Sequence, residues 1–536
     1  MVFILLLGVD LGTSTAKAAI FDEETGRLVA YASREYPTYH PKPGWAEQDT
    51  SDWWTVVVTV IREAVGKAGI DPKSIKGISV SSHREAVALV DSEGKALGRV
   101  IIWLDKRSIP QAQWIIENFD IKEIYEKTGL VVDPTFTATK LLWLKKNLPE
   151  VLRKAKWALQ PKDYLVYKLT GQPTTDMSVA SRTLLFNIKR LKWADDLFED
   201  FGLAEYRHLF PEPRYSDEIV GEVTEEAARD TGLAPGIPVV AGGGDRGCEV
   251  LGSGVLGPDK VEESTGTGST TATTIDAPIV DPEMRVVATV HVIRGKWSIE
   301  AGMSTAGAVL RWFRDQFTQG ERMLAGLTRR RAYEYLDMEA EYIPPGSNGL
   351  IVVPFFAGAR SPRWKPKAKG LIFGLTVYHT RAHVFRALME GIAYEIRKIL
   401  EVLEELGVKS REIRLLGGGG KTPTWARIKA DVTGRKAVLL EFLDAALIGD
   451  AILAGVGAGI LDGYKDGVQR FVRIRDVIEP NPQYVQIYDK YYRLYERLVN
   501  VIDTFYEDVD KLVEQPPRKV PWDIDELIHL LFKLEK

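Results

Sequence analysis

The chain of 536 residues contains a single cysteine, Cys248, so it cannot form an internal disulfide. This excludes the disulfide-stapled class of small secreted domains, and Cys/His spacing of the zinc-binding type is absent as well. We interpret Cys248 as a small buried apolar side chain rather than as a nucleophile. Such low cysteine usage suits a reducing compartment, and we expect the protein to be cytoplasmic.

Long apolar runs are also missing, because no stretch reaches the roughly 18 residues that a membrane-spanning helix needs. The opening segment, MVFILLLGVDLG, is apolar but short, and it lacks the basic region and cleavage site of a signal peptide. The formal net charge is only -4, whereas a general nucleic-acid binder carries a marked basic excess. We therefore expect no membrane and no nucleic acid as partner, and we hold a homodimer open.

The length exceeds what one compact core contains and predicts two or three domains. Hydrophobic residues make up 45% of the chain and charged residues 27%, as in an ordinary globular protein. Strand-like apolar runs alternate with segments of helical periodicity, which indicates an α/β fold. Strands are predicted over 4–9, 17–21, 27–33, 76–82 and 86–91, and a helix over 50–68 with Thr50 or Ser51 as its cap.

The same pattern begins again near the middle of the chain. A buried strand, 236–241, runs into three glycines and Asp245, and two strands surround a GTG turn within 260–274. A strand, a turn rich in Gly and Thr, and a second strand thus open each half, which indicates a duplicated architecture with a boundary near residue 251. Further helices are predicted over 384–406, 424–434 and onward from 484, with a strand over 413–416.

Two turns rich in glycine and hydroxyl residues have the chemistry of phosphate-binding loops. The first is Gly12-Thr13-Ser14, and the second is Gly266-Thr267-Gly268. Glycine lets backbone N–H groups approach a phosphate, and Ser and Thr add hydroxyl donors. Asp10, which precedes the first turn, can hold Mg²⁺, and Lys17 adds positive charge. Each turn alone is equally well explained as a plain hairpin turn, but a triphosphate held between two lobes needs donors from both sides.

Four glycines, 417–420, follow a predicted strand, and Lys421 and Thr422 lead from them into a helix. Glycines at such a position allow a flat ligand, such as an adenine ring, to lie on the backbone. The spacing is not that of a P-loop. The alternative is a tight turn between strand and helix.

Asp245 ends the sequence GGGD after a buried strand. A hydroxyl that attacks a phosphoryl group needs a carboxylate within reach to accept its proton, and three glycines leave room for a substrate beside it. The alternative is an Asp that caps the next helix. Arg84 and Glu85 can bind vicinal hydroxyls or form a surface ion pair, and Trp103 can pack on a sugar or fill the core.

Together these segments resemble the FGGY family of carbohydrate kinases, which includes glycerol kinases, xylulokinases, ribulokinases and an autoinducer kinase. The likeness runs in order from about residue 5 to 495. It rests on GVDLGTSTAKAAIFD, PKPGWAEQD, TGLVVDP, ASRTLLFNI, GIPVVAGGGD, STGTGST, GLIVVPFFAGARSPRW and GGGGKTPTWARIKADVTG. The resemblance implies two actin-like (ribonuclease-H-like) domains around a central cleft, and dependence on ATP and Mg²⁺.

The resemblance also implies domain limits and residue roles. Residues 1–251 would form the sugar-side domain and 252–500 the nucleotide-side domain, with 501–536 as a helical extension. We interpret the amphipathic end of that extension as a docked tail, with an oligomer contact as the alternative. Asp245 matches the catalytic base, and Asp10 and Asp245 the metal-associated carboxylates. The ATP-binding positions are Gly12, Thr13, Ser14, Lys17, Gly266, Thr267, Gly268, Gly307, Gly418 and Thr422, and the substrate-binding positions are Arg84, Glu85, Trp103, Asp245 and Arg246.

The departures from the family concern the substrate. Glycerol kinases have Tyr and Gln where this chain has Thr135 and Arg246, and an aromatic residue near Thr270, and the loss of these would leave a wider, more polar pocket. The Gln-Met-His-Gly signature of xylulokinases is replaced by Ser82-His83-Arg84-Glu85, and the central stretch is closest to the autoinducer kinases. We expect a xylulose-like ketose, with glycerol or another short polyol, or an autoinducer-type sugar, as alternatives.

Two other classes of protein stay open, namely an actin-like ATPase without a sugar substrate and a sugar-binding sensor without turnover. Arg246, beside the proposed base, either binds a carboxylate or phosphate of the substrate or pairs with Glu249. We favour the pairing.

Overall fold

The computed structural model describes residues 4–328 and 330–512, and its two largest sheets each contain seven strands. The order across the first sheet is Ile219–Glu222, Pro238–Val240, Ile75–Ser82, Leu5–Leu11, Thr15–Asp22 and Leu28–Glu35, with Gly243–Gly244 beside Ile75–Ser82. The order across the second sheet is Val287–Val290, Trp297–Met303, Ser269–Ile275, Lys260–Thr265, Glu412–Gly417, Lys436–Leu440 and Ile474–Ile478.

Each sheet contains the same five-strand pattern. Three antiparallel strands are followed by two that run parallel to the first of them, Leu5–Leu11 in one sheet and Lys260–Thr265 in the other. Helices separate the parallel strands along the chain, as parallel pairing requires. The prediction of a duplicated α/β fold with two actin-like domains is confirmed.

The helices of the first half lie between and after the strands of its sheet along the chain. They are Thr50–Ala68, Ile109–Asn118, Ile121–Thr128, Thr137–Asn147, Pro149–Lys154, Pro161–Thr170, Met177–Ala180, Asp195–Asp200, Glu225–Thr231 and Asp245–Gly252. Those of the second half are Gly307–Phe317, Gln319–Leu327, Ala332–Glu341, Arg381–Glu405, Pro423–Thr433, Ala445–Gly457, Tyr464–Phe471, Pro482–Ile502 and Tyr506–Leu512. No helix of the described residues is long and apolar enough to cross a membrane.

Short strand pairs outside the two main sheets connect these helices. They are Glu47–Gln48 with Val100–Ile101, Ala88–Val90 with Trp157–Leu159, Thr175–Asp176 with Pro213–Arg214, Phe186–Asn187 with Lys192–Trp193, and Ile351–Val353 with Leu371–Phe373.

The first long helix, Thr50–Ala68, has the predicted bounds, but its N-cap lies one residue before the predicted ones. Asp49 is the N-cap, and its carboxylate accepts a hydrogen bond from the Ser51 backbone N–H at 2.9 Å. The prediction of Thr50 or Ser51 as cap is wrong because three successive residues can all cap, and only Asp49 keeps the extended backbone that a cap needs. Trp53 and neighbouring aliphatic residues on one face are buried against the first sheet.

One helix of the second half, Ala445–Gly457, packs on the first sheet. Its Asp450 carboxylate accepts hydrogen bonds from the hydroxyls of Ser79 at 2.9 Å and Ser81 at 2.7 Å, both on the strand Ile75–Ser82. Burial raises the pKa of Asp450 well above its ordinary value. The two halves are therefore in direct contact through this helix. The predicted domain limits, 1–251 and 252–500, stay a prediction.

The predicted extension 501–536 lies only partly within the described residues. Asp503–Phe505 and Tyr506–Leu512 are helical, and Tyr506 contacts the apolar core of the second half. The amphipathic helix predicted near the end of the chain lies outside the described residues.

Candidate active site

Three neighbouring strands of the first sheet end at one edge, and the residues that follow them face one another. Leu5–Leu11 and Gly243–Gly244 each run parallel to Ile75–Ser82, with Asp10 and Gly243 both paired to Ser81. The carboxyl ends of parallel strands meet at one edge of a sheet, where α/β proteins bind their ligands. The fold thus brings Asp10, Arg84 and Asp245 together.

The glycines before Asp245 are required by close packing. Gly242 has a φ of +71°, and a Cβ atom there would lie 2.1 Å from the Val80 carbonyl oxygen. A Cβ atom on Gly244 would lie 2.6 Å from Cδ of Arg84. Any larger residue would therefore displace Arg84 or the strand beside it, so the three glycines set the position of Asp245.

A polar pocket of about 160 Å³ lies at this edge. All five predicted substrate-binding residues line it, namely Arg84, Glu85, Trp103, Asp245 and Arg246. Thr135 and Thr270, the two positions at which glycerol kinases have larger side chains, line it as well.

Arg84 is the cation closest to the proposed base. Its Nε lies 3.5 Å from Oδ1 of Asp245 and 3.8 Å from Oε1 of Glu85. Burial raises the pKa of Asp245 to about 6, although the charges of Arg84 and Arg246 lower it. Asp245 is thus mostly ionised at neutral pH and still basic enough to accept a proton, which suits a general base.

Asp245 is the first residue of the helix Asp245–Gly252, whose N-cap is Gly244. Its carboxylate accepts a hydrogen bond from the Arg246 backbone N–H at 2.8 Å. The Arg246 guanidinium donates to Oε2 of Glu249 at 2.5 Å. The favoured prediction that Arg246 pairs with Glu249 is confirmed.

Glu85 is held in an unusual backbone conformation at the side of the pocket. Its φ is +67°, and its carbonyl oxygen accepts a hydrogen bond from Nζ of Lys140 at 2.8 Å. Burial raises the pKa of Glu85, but Arg182 and Arg84 hold it below its ordinary value. Glu85 is therefore buried and Arg84 is partly buried in the cleft, and the alternative of a surface ion pair is wrong.

Three charged residues that sequence reasoning did not single out also line this pocket, namely Arg182, Glu300 and Arg360. Arg182 and Arg360 fall within segments that carry the family resemblance, ASRTLLFNI and GLIVVPFFAGARSPRW, so those segments were a usable signal. Glu300, in the strand Trp297–Met303, has no local signal of its own.

A second pocket of about 660 Å³ lies on the second half. Five predicted ATP-binding residues line it, namely Gly266, Thr267, Gly307, Gly418 and Thr422. Its apolar walls are Leu310, Tyr333, Phe385, Met389 and Trp425, and its cations are Arg311, Arg314, Arg331 and Lys421. The Thr422 hydroxyl is buried without a hydrogen-bond partner among the described residues. The pocket thus offers a flat apolar slot and positive charge, which a nucleotide needs.

Gly268 is the third predicted ATP-binding residue of the second Gly/Thr turn, Gly266-Thr267-Gly268. It closes that turn, because its carbonyl oxygen accepts a hydrogen bond from the Gly266 N–H at 2.9 Å. The first predicted phosphate loop lies apart from the second pocket. Thr13 lines the polar pocket instead, where its hydroxyl accepts from Nε1 of Trp103 at 2.9 Å. Contact of Gly12, Thr13 and Ser14 with ATP stays a prediction.

Lys17 does not point freely into either pocket. Its Nζ donates to Asp444 at 2.7 Å and lies 3.8 Å from Oδ2 of Asp10. Asp444 belongs to the second half of the chain, so Lys17 joins the two halves beside the predicted metal position.

The family of the chain follows from comparison with known proteins. The N-terminal domain of the FGGY family of carbohydrate kinases matches residues 5–252, and the C-terminal domain of the same family matches residues 263–458. The chain belongs to the FGGY family of carbohydrate kinases. It is an ATP-dependent phosphotransferase that acts on a sugar or polyol.

Relatives of this FGGY kinase differ in their substrates. A xylulose kinase from Bacillus subtilis (strain 168) is 30% identical over 493 residues, which covers 92% of this chain and 96% of that kinase. A glycerol kinase from Thermococcus gammatolerans is 31% identical over 481 residues, which covers 89% of this chain and 93% of that kinase. The crystal structure of gluconate kinase from Lactobacillus acidophilus has a TM-score of 0.86 at 25% identity, covering 95% of this chain and all of that one.

The carboxylates of this FGGY kinase fit the Mg²⁺ that its family uses with ATP. Asp10 is buried and receives one hydrogen bond, from the Ser81 hydroxyl at 3.2 Å. Burial, aided by the charge of Asp245, raises the pKa of Asp10 to about 7, although the charge of Lys17 lowers it. The described residues contain no group of three or more His, Cys, Asp or Glu side chains that could hold a metal ion. Proteins usually bind Mg²⁺ through one or two carboxylates together with phosphate oxygens of the substrate. Mg²⁺ at Asp10 and Asp245 would neutralise charge on the phosphates.

Gly307 allows a test of the prediction that the second pocket, hereafter the nucleotide pocket, binds ATP. A Cβ atom there would lie 2.3 Å from the Gly266 carbonyl oxygen, so Gly307→Ala should displace the phosphate loop. We expect the ATP affinity to fall by about tenfold or more, the usual effect of losing a hydrogen bond to a charged group. Isothermal titration calorimetry with ATP measures the change. Gly320→Ala is the matched control, because nothing lies within 4 Å of its new Cβ. The assignment would be contradicted if both variants lost ATP affinity equally, or if neither variant lost any.

Proposed function

We propose that the protein transfers the γ-phosphoryl group of ATP to a primary hydroxyl of a xylulose-like ketose, with Asp245 as the catalytic base. The observation that carries the proposal is the single polar pocket shared by Asp245, Arg84, Glu85 and Trp103. The likeness to a xylulose kinase over 92% of the chain supports the ketose. We further propose that the enzyme acts in the cytoplasm, as a homodimer, with Mg²⁺ bound to ATP.

In this proposal the polar pocket holds the sugar. Arg84 donates to vicinal hydroxyls, Glu85 accepts from them, and the flat face of Trp103 packs on the carbon chain. Asp245 accepts the proton of the primary hydroxyl while that oxygen attacks the γ-phosphorus.

The nucleotide-side pocket positions ATP in the same proposal. The turn at Gly266 and Thr267 donates N–H and O–H groups to the phosphates, and the helix that starts at Gly307 directs its N-terminus towards them. The apolar walls hold the adenine ring. Closure of the two halves excludes water, which limits hydrolysis of ATP.

A second candidate substrate class, the acidic sugars, is favoured by Arg360. Within the described residues its guanidinium has no hydrogen bond or ion pair, although it lines the polar pocket. The loop that carries it is fixed, because Ser361 and Trp364 both donate to the Arg285 carbonyl oxygen, at 2.5 and 3.2 Å. A guanidinium without a partner among the described residues, on a loop held in this way, is suited to a carboxylate, and the gluconate kinase named above acts on such a compound.

A screen of acceptors distinguishes these substrates. We expect a coupled ADP-release assay to give the highest kcat/KM with a ketopentose, and lower values with glycerol, erythritol and short diketone-derived sugars. Highest turnover with an aldonate, lost on Arg360→Met, would replace the ketose by an acidic sugar. ATP turnover that needs no acceptor would indicate an actin-like ATPase and overturn the proposed function.

A further inference from the structure

Four charged side chains in the polar pocket form one connected cluster, which we call the cleft cluster: Arg84, Glu85, Arg182 and Glu300. Arg182 bridges the two carboxylates, since its Nε lies 2.5 Å from Oε1 of Glu85 and its Nη1 lies 2.5 Å from Oε1 of Glu300. Arg84 closes the cluster, with both Nη atoms 3.4 Å from Glu300. Because Nε of Arg84 also lies 3.8 Å from Oε1 of Glu85, each carboxylate of the cleft cluster lies within 3.8 Å of both guanidiniums.

The cleft cluster spans the two halves of the enzyme. Arg84 and Glu85 follow a strand of the first sheet, and Arg182 follows the helix Met177–Ala180 in the same half. Glu300 lies in the strand Trp297–Met303 of the second sheet, which is separated from Lys260–Thr265 by one strand, Ser269–Ile275. Its carboxylate is thus supplied to the sugar pocket from the other side of the cleft.

Burial makes these contacts strong. The exposed fractions are 3% for Arg182, 5% for Glu85 and 6% for Glu300. Burial raises the pKa of Glu300, but the charges of Arg84 and Arg182 lower it to about 2. Removing one member of a buried ion-pair network leaves its partner uncompensated, so the cluster holds its geometry only when all four residues are present.

We propose that Arg182 and Glu300 are positioning residues that hold Arg84 and Glu85 in the sugar-binding geometry, and that Glu300 does so only when the two halves of the cleft are closed. This inference rests on the proposed function. Arg182 contacts the Glu85 carboxylate, and Glu300 contacts the Nη atoms of Arg84, whose Nε lies 3.5 Å from Oδ1 of Asp245. Sugar binding and cleft closure therefore stabilise each other.

Two conservative variants test this role. Glu300→Gln keeps the shape of the side chain and removes its charge, and Arg182→Lys keeps the charge but cannot bridge two carboxylates with a planar fork. We expect each variant to raise the sugar KM by about 10–100-fold, the effect of losing a charged hydrogen bond. The ATP KM should change by less than about threefold, because neither residue lines the nucleotide pocket. The double variant should be less impaired than the product of the two effects, because both act through one cluster.

The matched control is Arg397→Lys. Arg397 also bridges two carboxylates, at 2.6 Å from Asp489 and 3.2 Å from Glu401, but it lines neither the sugar nor the nucleotide pocket. We expect wild-type KM values for both substrates. A similar rise of the sugar KM in the control, or equal rises for sugar and ATP in Glu300→Gln, would overturn the positioning role.

A measurement without sugar separates this inference from the proposed function. Amide hydrogen exchange should become faster in both Glu300→Gln and Arg182→Lys, at residues 82–86 and at Trp297–Met303 alike, because these segments lie on opposite sides of the cleft. Exchange should not change at these segments in Arg397→Lys. If wild-type protein phosphorylates no acceptor, the proposed function fails, but this exchange pattern still supports the cluster as the contact that holds the cleft closed. Faster exchange on one side only, or on neither, would overturn it.

Discussion

Asp245→Asn is expected to lower kcat by about 10²–10⁴-fold, the typical contribution of a general base, while ATP still binds. The amide keeps the size of the side chain but cannot accept the proton of the attacking hydroxyl. ATP binding should persist because Asp245 lines the polar pocket and not the nucleotide pocket. Steady-state kinetics with the best acceptor, together with calorimetry of ATP binding, measure both quantities.

The pH dependence gives this prediction a second readout. Because burial raises the pKa of Asp245 to about 6, the base of the wild-type enzyme should become protonated as the pH falls through 6. We expect kcat/KM to fall on that acidic side. Asp10, whose pKa is raised to about 7, titrates in a neighbouring range, so Asp245→Asn should lose only the part of this limb that lies near pH 6.

The control for this substitution is Asp230→Asn. Asp230 accepts a hydrogen bond from Nε1 of Trp54 at 3.0 Å, a role that an amide oxygen can also perform, and it lines neither pocket. Its kcat should equal that of the wild type. Near-normal turnover of Asp245→Asn, with the acid limb unchanged, would remove Asp245 as the base.

Features that depend on neighbouring residues could be predicted from the sequence. The two hairpins around Gly/Thr turns and the glycines before Asp245 are local patterns, because strand alternation and close backbone approach restrict the residue types within a few positions. The same holds for the helix Thr50–Ala68, whose bounds were predicted correctly although its N-cap was not. Arg246 could be assigned to Glu249 because residues three apart lie on one face of a helix.

Features that depend on distant segments could not be predicted in this way. Glu300 is 216 residues from Arg84, and Arg182 is 97 residues from Glu85 along the chain. The contact of Glu300 with Arg84 arises from the placement of the second sheet against the first, and that of Arg182 with Glu85 from the folding of the first half, and no local pattern encodes either. The same reason explains the contact of Thr13 with Trp103, which lies 90 residues further along the chain.

Arg84→Ala is expected to lower kcat/KM by about 10²–10³-fold, the range found when one partner of a buried charge pair is truncated. Arg84 is the proposed donor to the sugar hydroxyls, so its loss weakens substrate binding. It also lies within 3.8 Å of three carboxylates, those of Glu85, Asp245 and Glu300. Their mutual repulsion would be less compensated in the variant, which would disturb the pocket further.

The pH profile separates these two effects of Arg84→Ala. The charge of Arg84 lowers the pKa of Asp245, so its removal should raise that pKa above about 6 and move the acid limb of kcat/KM to higher pH. Asp245 would then be protonated in a larger fraction of molecules at pH 7, and activity should partly return as the pH is raised. Arg84→Lys keeps the positive charge but not the planar fork, so it should lose sugar affinity and retain the wild-type acid limb. An acid limb that does not move in Arg84→Ala would mean that Arg84 does not tune the base, and an unchanged kcat/KM would remove Arg84 from the site.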